Sequence, residues 1–448
     1  MSGAVSDLLA ARALFGTSLV FHIVFAAVGV AMPLFMVLAE WRWRRTGDPV
    51  HLDVARRWAK GVAILFAVGA VSGTVISFEL GLLWPRFMAF AGPIIGMPFS
   101  LEGFAFFAEA IFLGIYLYGW DRTGPRLHLA AGAMVALSGA VSAFFVTLAN
   151  AWMNVPAGFS VDAAGAATGV APAVAMFPPG WAHEVVHVLL SSYAATGFAV
   201  AGIHAFLLLR HGDHAFHRAA LRIALGVGAL AALLQPLSGD FSARQIARTQ
   251  PVKLAALEGQ FETERGAPLR VGGLPDAAAE QTRFALEIPR GLSLLAFHDP
   301  GAEVKGLKAF PRDVWPNTRL VHLAFQVMVG LGSLLALVAL AWVVQRVRGR
   351  EPGPRLLRAI VLASPMGFLA LEAGWLVTEW GRQPFTIWGT MRTADAVTPV
   401  TNLAAPLVAF TLLYVFLGVM VIVLVRRQIA HVPVDAAAAP HVPPEAAP

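Results

Sequence analysis

Long apolar runs separated by short polar connections dominate this sequence. Each run approaches the roughly 20 residues that an α-helix needs to cross the hydrocarbon core of a bilayer. Nine such runs lie at about 14–38, 61–78, 104–119, 129–149, 185–209, 221–237, 323–344, 360–377 and 403–425. The pattern therefore predicts an all-α, polytopic membrane protein, a helical bundle of about nine transmembrane helices.

The connections between the runs alternate in their content of basic residues. Those that follow runs one, three, five, seven and nine carry arginine, as at Arg42, Arg44 and Arg45, whereas 84–98 and 150–181 hold little basic charge and are rich in Gly and Pro. Because basic connections stay on the cytoplasmic side of a membrane, we expect the N-terminus outside and the C-terminus in the cytoplasm.

Runs and connections divide the chain into four parts. Residues 1–239 hold transmembrane helices one to six, 240–318 form a long extracytoplasmic loop, 319–428 hold helices seven to nine, and 429–448 form a tail without hydrophobic periodicity. A connection as long as 240–318 in a compact bundle usually has a function of its own. The composition of the tail, rich in Ala, Pro and Val, predicts disorder.

Composition narrows the chemistry that such a bundle can carry. Of the 448 residues, 57% are hydrophobic and 13% charged, and none is cysteine. The lack of cysteine excludes disulfides, iron–sulfur clusters and covalently attached c-type haem, so any redox metal is held by His, Met or carboxylate. The net charge of +6 comes from arginines beside the apolar runs, which we interpret as a topology signal and not as a nucleic-acid-binding surface. The first ten residues lack the features of a removable signal peptide.

Three of the histidines within or at the edge of apolar runs are candidate metal ligands. His22 lies about ten residues into run one, where a lone histidine either binds a metal or hydrogen-bonds a neighbouring helix. His183 and His187 are four residues apart and so share a helix face. Because His187 lies deeper in run five, it is the better ligand candidate.

Met328 begins run seven at the depth at which His187 begins run five. A methionine in an apolar helix ordinarily serves only packing. The matching depth, however, would let Met328 and His187 face each other across one macrocycle. Such a His/Met pair gives a low-spin haem suited to electron transfer.

Two pairs of acids are spaced seven residues apart, which places each pair on one helix face. Glu102 and Glu109 begin run three, and Glu372 and Glu379 end run eight, close to Arg382. A ladder of carboxylates entering a membrane is the usual form of a proton relay, although hydrogen bonding to neighbouring helices is the alternative. An arginine such as Arg382 can pair with a carboxylate or with a haem propionate.

These residues and the motifs around them resemble subunit I of the cytochrome bd quinol oxidases, from about residue 11 to residue 427. The motifs that carry the resemblance are Arg12 with His22, SLEG at 100–103 running into FFAE at 106–109, GWDR at 119–122, NAWM at 150–153, His187 with Tyr193, KLAALE at 253–258, FQVM at 325–328, EAGW at 372–375 and EWGRQP at 379–384. Each motif is weak alone, but their order and spacing agree with the topology inferred from the apolar runs.

The resemblance implies three haems with four protein ligands. His187 and Met328 would ligate a low-spin haem b, and His22 and Glu379 would each ligate one haem of a high-spin pair at which O2 is reduced. That pair would be a haem b with a haem d or a further haem b. Which of the two residues holds the oxygen-binding haem is left open.

The resemblance also implies roles for residues that do not ligate iron. Lys253 and Glu258 would form the quinol site in the long loop, and Glu102 and Glu109 would belong to a proton path. Trp375 would lie beside the high-spin pair. Arg12 and Arg382 would contact the cofactors.

Two positions depart from the pattern of the family. Gln326 stands where the family usually has arginine, and Phe385 stands where it usually has tryptophan. Both changes are typical of the cyanide-insensitive branch of the family. The loss of a fixed positive charge beside the low-spin haem is expected to lower its potential.

The expected function is that of a quinol:O2 oxidoreductase subunit in the bacterial cytoplasmic (inner) membrane. It would oxidise membrane quinol at the outer side, reduce O2 to water and generate a proton motive force without pumping. The expected partners are a second large subunit, a small single-span subunit, quinol, O2 and the lipid bilayer, with no nucleic acid. Two alternatives are a dihaem cytochrome b that serves a protein acceptor and a secondary transporter, and haem content discriminates among the three.

Overall fold

The computed structural model describes residues 7–430, apart from the side chains of residues 428–430. In chain order the α-helices are α1 (Asp7–Thr46), α2 (Pro49–Leu83), α3 (Pro85–Tyr118), α4 (Pro125–Asn154), α5 (Pro172–Met176), α6 (Trp181–His211), α7 (Ala215–Thr249), α8 (Pro251–Glu258), α9 (Gly291–Phe297), α10 (Thr318–Val347), α11 (Pro354–Ala363), α12 (Met366–Arg382), α13 (Thr393–Ala396) and α14 (Ala404–Ala430). Two short 3-10 helices lie at Leu307–Ala309 and Arg312–Val314.

The strands are short and pair only as antiparallel ribbons. They are β1 (Ser160–Val161), β2 (Ala167–Thr168), β3 (Glu264–Arg265), β4 (Leu269–Val271), β5 (Leu274–Asp276), β6 (Gln281–Arg283), β7 (Leu286–Ile288), β8 (Glu303–Val304), β9 (Phe385–Ile387) and β10 (Met391–Arg392). The pairs are β1 with β2, β3 with β8, β4 with β7, β5 with β6, and β9 with β10. Six of the ten strands belong to the long loop, which they fold into a compact cap.

Within the described residues, nine helical spans are long and apolar enough to cross a membrane, with α11 and α12 together forming one of them. The prediction of an all-α bundle with about nine transmembrane helices is therefore confirmed. Several spans begin with proline at the first helical position, where its missing N–H costs no hydrogen bond. The side chain of Asp48 caps α2 by accepting a hydrogen bond of 3.0 Å from the backbone N of Val50.

The two ends of the bundle differ in composition. We call the end at which α1, α3, α6, α10 and α14 begin the loop end, because the long loop lies there. We call the opposite end the basic end, because its connections carry the arginines between successive spans.

The first and last transmembrane helices pack against each other. Tyr414 of α14 donates a hydrogen bond of 2.9 Å from its hydroxyl to Ser18 Oγ of α1. At the loop end, Asp7 Oδ1 accepts a hydrogen bond of 3.1 Å from the backbone N of Leu403. The ring of Tyr414 also stacks on Phe21, with ring centroids 4.6 Å apart. The bundle is thus closed by contact between its two ends in sequence.

Three predicted boundaries differ from the structure. Residues 84–98 were expected to connect two spans, but α3 begins at Pro85 and contains Pro93 and Pro98 in its interior. Membrane helices tolerate such prolines because neighbouring groups satisfy the freed backbone carbonyls. Glu102 and Glu109 therefore lie in the middle and second half of a long helix and not at the entrance of a span.

The other two differences concern the long loop and run eight. α7 continues to Thr249, so the loop begins about ten residues later than the predicted 240. An ion pair of 2.9 Å between Arg244 and Asp240 supports this helical extension. Run eight is broken at Ser364 and Pro365 between α11 and α12. α14 extends to Ala430, and the remainder of the predicted disordered tail lies outside the described residues.

Candidate functional site

His22 lies on α1 with its ring against α2. Its Nδ1 is 2.9 Å from the hydroxyl oxygen of Ser72, and that hydroxyl donates its own hydrogen to the backbone O of Val68 at 2.9 Å. Because the serine hydrogen is already used, Nδ1 of His22 carries the hydrogen and Nε2 keeps a free lone pair. A histidine that ligates a metal shows this arrangement, in which the second ring nitrogen donates to a neighbour.

A glycine makes room for the His22 ring. A Cβ placed on Gly73 would lie 3.0 Å from Cε1 and 3.6 Å from Nε2 of that ring. Any larger residue at position 73 would push the imidazole away from α2. The two helices thus fix both the tautomer and the position of His22.

His187 and His183 lie at the start of α6 and face α7. Nδ1 of His187 is 3.0 Å from Ser238 Oγ, and Nδ1 of His183 is 3.1 Å from Ser242 Oγ. Because both histidines contact a serine of α7, this contact does not distinguish His187 from His183 as a ligand. The deeper position of His187 remains the reason to prefer it as a ligand.

Met328 lies about 15 Å along α10 from the loop end, and His187 lies about 9 Å along α6, at 1.5 Å of rise per residue. Both residues are half-buried, and both of their helices pack against α7 and α12. A Cβ on Gly374 of α12 would lie 3.1 Å from the Met328 sulfur, so α12 leaves space for this side chain.

A chain of hydrogen bonds connects Lys253 with Glu379. Nζ of Lys253 donates to Asn154 Oδ1 at 3.2 Å, and Nδ2 of Asn154 donates to Asn150 Oδ1 at 3.0 Å. Nδ2 of Asn150 in turn donates to Glu379 Oε1 at 2.7 Å, and the other carboxylate oxygen pairs with the guanidinium of Arg382. A residue predicted for quinol and a residue predicted for haem thus belong to one polar network.

Lys253 and Glu258 are almost fully buried on α8, with exposed fractions of 2% and 1%. Five residues turn an α-helix by about 140°, so the two side chains leave α8 in different directions. Burial raises the pKa of Glu258 to about 8, and the positive charge of Arg270 opposes this rise. Burial also lowers the pKa of Lys253, an effect opposed by the carboxylate of Glu184.

Glu102 and Glu109 share one face of α3, as their spacing predicted. Glu109 is buried, with 5% exposure, and its carboxylate lies where a Cβ on Gly139 of α4 would come within 3.3 Å. Glu102 is half-buried. The structure thus directs Glu109 into the interface with α4.

Trp375 and Arg12 differ in their surroundings. Trp375 is half-buried and packs with Ile23 and Ala27 of α1, next to His22 in sequence. Arg12 is exposed on α1 near the loop end. The structure brings Trp375 towards the His22 region and leaves Arg12 at the surface of this chain.

The two positions that depart from the family pattern have structural partners. Gln326 accepts a hydrogen bond of 2.9 Å from Gly272 N and donates one of 3.0 Å to Arg270 O, so it fastens the long loop to α10. Phe385 packs edge-on against Trp388, with ring centroids 5.2 Å apart, and carries the guanidinium of Arg392 over its face.

Sequence reasoning missed two acids near these residues, the buried Glu79 and the half-buried Glu184. Glu79 ends α2 and accepts a hydrogen bond of 2.8 Å from Ser18 Oγ, with 5% exposure. Glu184 lies between His183 and Val185 and acts electrostatically on Lys253 and Arg382. Both acids interrupt or directly follow apolar sequence, and that pattern could have revealed them.

The donors around these helices fit haem. His22 has a free Nε2, and both carboxylate oxygens of Glu372 are buried without a hydrogen-bond partner among the described residues. Such orphaned polar atoms are costly in a membrane interior unless a bound group meets them. Imidazole, thioether and carboxylate are ligand types compatible with haem iron, with His and Met the most familiar of them.

Fold and site together define a multi-span α-helical membrane protein whose imidazole, thioether and carboxylate donors lie nearer the loop end of their helices. Comparison with known proteins gives the family. The family model described as "Cytochrome bd terminal oxidase subunit I" matches residues 10–433. The chain therefore belongs to the family of cytochrome bd terminal oxidase subunit I.

Individual relatives match over nearly their whole length. The chain is 39% identical to "Putative cytochrome bd menaquinol oxidase subunit I" of Bacillus subtilis, covering 96% of this chain and 98% of the relative. It is 32% identical to "Cytochrome bd ubiquinol oxidase subunit 1" of the same organism, covering 95% and 94%. The solved structure of bd oxidase from Geobacillus thermodenitrificans matches with a TM-score of 0.90 and 39% identity, covering 96% of this chain and 99% of that one.

The family assignment confirms several predictions from the sequence. The chain is a subunit of a haem-containing terminal oxidoreductase, a quinol oxidase of the cytochrome bd type, and a multi-pass protein of the bacterial inner membrane. Subunit I of this family works with a subunit II. The dihaem cytochrome b and the secondary transporter are therefore excluded as alternatives.

Proposed function

We propose that His187 and Met328 hold a low-spin haem b and that His22 and Glu379 each hold one haem of a high-spin pair. The observation that carries the proposal is the hydrogen bonding of the histidine rings. Nδ1 of His22 donates to Ser72, whose own hydrogen is bound to α2, and this presents Nε2 of His22 as the ligand atom, while Nδ1 of His187 lies 3.0 Å from Ser238 Oγ on the next helix. Trp375 packs against the cluster that contains Ala27 of α1, Arg382 pairs with Glu379, and the resemblance assigns Arg12 a contact with the cofactors.

When bound, the haems would supply one-electron transfer and the iron at which O2 is reduced to water. The chain supplies the rest of the chemistry. Burial in the helical bundle excludes bulk water, and the polar residues on α3, α8 and α12 hold or move protons. The network from Lys253 to Glu379 fixes the relative position of the two sites.

The quinol site lies on α8 and the long loop. Glu258 accepts a proton from the quinol, because its raised pKa makes it a base that binds protons near neutral pH. Lys253 stabilises the negative charge that forms as the quinol deprotonates. The names of the relatives include both menaquinol and ubiquinol oxidases, so we propose a membrane quinol as the substrate without choosing between the two head groups.

Protons enter from the opposite side of the membrane. The arginines of the basic end place that end in the cytoplasm, and the loop end then faces outward. Glu102 and Glu109 are the acids of this chain that lead from the membrane interior towards the loop end. Protons released by quinol outside and protons taken up inside separate charge across the membrane without a pump.

Two further features belong to this proposal. The complex contains a second large subunit and a small single-span subunit. Gln326 and Phe385 are typical of the cyanide-insensitive branch of the family, and the high-spin pair consists of a haem b with either a haem d or a further haem b. The absence of a positive charge at position 326 gives the low-spin haem a lower potential than an arginine would.

The optical spectrum of the purified complex tests the proposal. The dithionite-reduced minus air-oxidised spectrum is recorded with pyridine haemochrome extraction, and oxygen uptake is followed after adding a quinol. Haem b with a red chlorin band and oxygen uptake supports a haem d oxidase, whereas haem b alone with oxygen uptake supports the variant branch. In Met328→Leu the low-spin haem is expected to become high-spin, and a retained low-spin spectrum would reject Met328 as a ligand.

A further inference from the structure

At the basic end, α1, α3 and α4 enclose a group of polar side chains that the proposed mechanism does not use. Glu40, His128 and Tyr116 are each fully buried, with 0% exposure. Nδ1 of His128 lies 2.9 Å from Glu40 Oε1, and Arg44 donates to the same carboxylate oxygen at 2.6 Å and 2.7 Å. A buried ionisable group in a membrane protein is a functional candidate by default.

The geometry requires a shared proton in this group. Nε2 of His128 lies 3.0 Å from the backbone O of Tyr116, which can only accept, so Nε2 carries a hydrogen. A neutral imidazole would then turn the Nδ1 lone pair towards Glu40 Oε1. A separation of 2.9 Å between two acceptors is repulsive, so one proton lies between Nδ1 and the carboxylate. The pair therefore holds a proton that it can pass on and regain.

The shared proton has a short connection to the surface of the basic end. The ring of Trp120 lies 4.2 Å from the ring of His128, measured between centroids. On its other side, Trp120 lines a surface cavity of about 290 Å³ together with Arg56 and Asp121. Arg56 lies over the Trp120 ring and 3.8 Å from the Asp121 carboxylate. Only one aromatic side chain thus stands between the buried pair and a polar opening.

The same group points along α3 towards Glu109. Tyr116 follows Glu109 by seven residues, so the phenol and the carboxylate share a helix face, about 10 Å apart along the axis. On α4, Gly132 and Gly139 are also seven residues apart. A Cβ on Gly132 would lie 2.7 Å from the Tyr116 ring, and a Cβ on Gly139 would lie 3.3 Å from Glu109 Oε1.

Two polar atoms of the group make no close hydrogen bond among the described residues. The Tyr116 hydroxyl and Glu40 Oε2 are both buried, and the phenol and the Glu40 carboxylate interact with each other at longer range. Leaving such atoms unsatisfied costs free energy, which a purely structural contact between helices would avoid. A water bound between the phenol and the carboxylate would satisfy both atoms and would give a proton the first step of the about 10 Å along α3 to Glu109.

We propose that Glu40, His128 and Tyr116 form the proton-relay station through which protons from the basic end reach Glu109. The proposal rests on the proposed function, in which Glu109 takes up cytoplasmic protons. A proton arriving from the cavity adds to the shared pair, giving an imidazolium beside a neutral carboxyl. The pair then releases one proton through water at the Tyr116 hydroxyl and returns to its starting state, with no change in electrons.

The test uses the complete complex reconstituted in liposomes with the basic end facing the medium. The fully reduced complex is mixed with oxygen, and proton uptake from the medium is followed with a pH-indicator dye. His128→Ala is expected to slow uptake by about tenfold or more, because general acid–base groups contribute at least that much. Added imidazole is expected to restore part of the rate, which a structural role would not allow. Tyr116→Phe keeps the ring and is expected to slow uptake several-fold.

The matched control is His217→Ala. His217 is 5% exposed, and its Nδ1 lies 3.1 Å from Nδ1 of His204 at the same end of the bundle, away from α3. Uptake in this variant should equal that of the unaltered complex. Equal rates in His128→Ala and His217→Ala, without rescue by imidazole, would overturn the relay. If the complex with His128→Ala fails to assemble, Tyr116→Phe is the deciding variant. An unchanged rate of proton uptake in Tyr116→Phe would also overturn the relay.

The outcome is separable from the proposed function. Haem content and the optical spectrum are recorded for every variant, and both are expected to match the unaltered complex. If the unaltered complex carries no haem and takes up no protons on oxygen addition, the proposed function itself is contradicted. If the unaltered complex contains haem and takes up protons, and the variants take up protons at the same rate, only the relay is wrong.

Discussion

Short polar side chains fix the hydrogen-bonding state of a candidate haem ligand in this protein. Ser72 is the example, because its hydroxyl hydrogen is bound to its own helix and its oxygen is left to accept from His22. That arrangement assigns the tautomer of the histidine without any charged residue. His183 shows the same arrangement on α7, because the hydroxyl of its partner Ser242 donates to Ser238 O.

Replacing Ser72 tests the importance of this tautomer. In Ser72→Ala, His22 loses the acceptor for its Nδ1 hydrogen, and the ring can rotate or change tautomer. Loss of such a partner typically lowers metal affinity by about 10-fold to 100-fold. We therefore expect less haem per complex and a changed high-spin spectrum. Ser77→Ala is the control, because the Ser77 hydroxyl bonds only to the backbone O of Gly73 on its own helix. An equal haem content in both variants would contradict the role of Ser72.

The raised pKa of Glu258 predicts a pH dependence of quinol oxidation. The carboxyl must be ionised to accept a proton, and burial raises its pKa from 4.5 to about 8. The rate is therefore expected to rise with pH up to about 8 and to level off above it. Since the folded state holds this proton and the unfolded chain releases it above 4.5, stability also decreases as pH rises over the same window.

Steady-state quinol oxidation between pH 6 and pH 9 measures this dependence, at about half-unit steps. Glu258→Gln should lose most of the activity and the rising limb together, while the haem spectrum stays the same. A rising limb that persists in Glu258→Gln would show that another group controls the rate.

Sequence reasoning succeeded and failed at this scale for a physical reason. Glu102 and Glu109 were placed on one face because a helix period follows from sequence alone. The contacts of His22 with Ser72 and of Lys253 with Asn154 join residues 50 and 99 positions apart. No local pattern encodes such pairs, so the serine and asparagine partners emerged only from the packed bundle.

At the scale of elements, close helix packing positions the site residues. α2 meets α1 at Gly73, where any side chain would collide with the His22 ring. α3 shows the limit of prediction from composition. Its Gly and Pro residues between 84 and 98 indicated a connection, yet the segment is helical because lipid leaves the backbone no better hydrogen-bonding partner. The number of spans was predictable, whereas their boundaries were not.

Gly73→Ala tests the packing of α1 against α2. The added Cβ lies 3.0 Å from Cε1 of His22, so the ring must move. We expect a loss of the haem bound by His22, visible in the high-spin region of the spectrum, with the low-spin haem unchanged. Gly81→Ala on the same helix is the control, because nothing lies within 4 Å of its added Cβ. If Gly73→Ala retains the spectrum of Gly81→Ala, the ring does not depend on this contact.

At the scale of the whole molecule, the distribution of charge predicts the orientation in the membrane. Arginines gather at the basic end, and the long loop caps the other end. The chain contains no cysteine, so single cysteines can be introduced against a background without thiols. Orientation can therefore be measured directly on the intact protein.

Labelling of single cysteines with an impermeant maleimide checks the orientation. Ala279→Cys lies in the long loop and is expected to react in intact spheroplasts. Gly349→Cys lies at the basic end after α10 and is expected to react only after the membrane is permeabilised. The unaltered chain is the control for background labelling. The reverse labelling pattern would place the long loop in the cytoplasm.

The contact between α1 and α14 sets an order for biogenesis. Ser18 and Phe21 contact Tyr414, so the flank beside His22 is covered by α14, which is synthesised after the other described transmembrane helices. Until translation reaches that helix, the interior next to His22 stays open sideways to the lipid. Insertion of α14 then closes this side of the bundle, so the order of synthesis times the closure of the region beside His22.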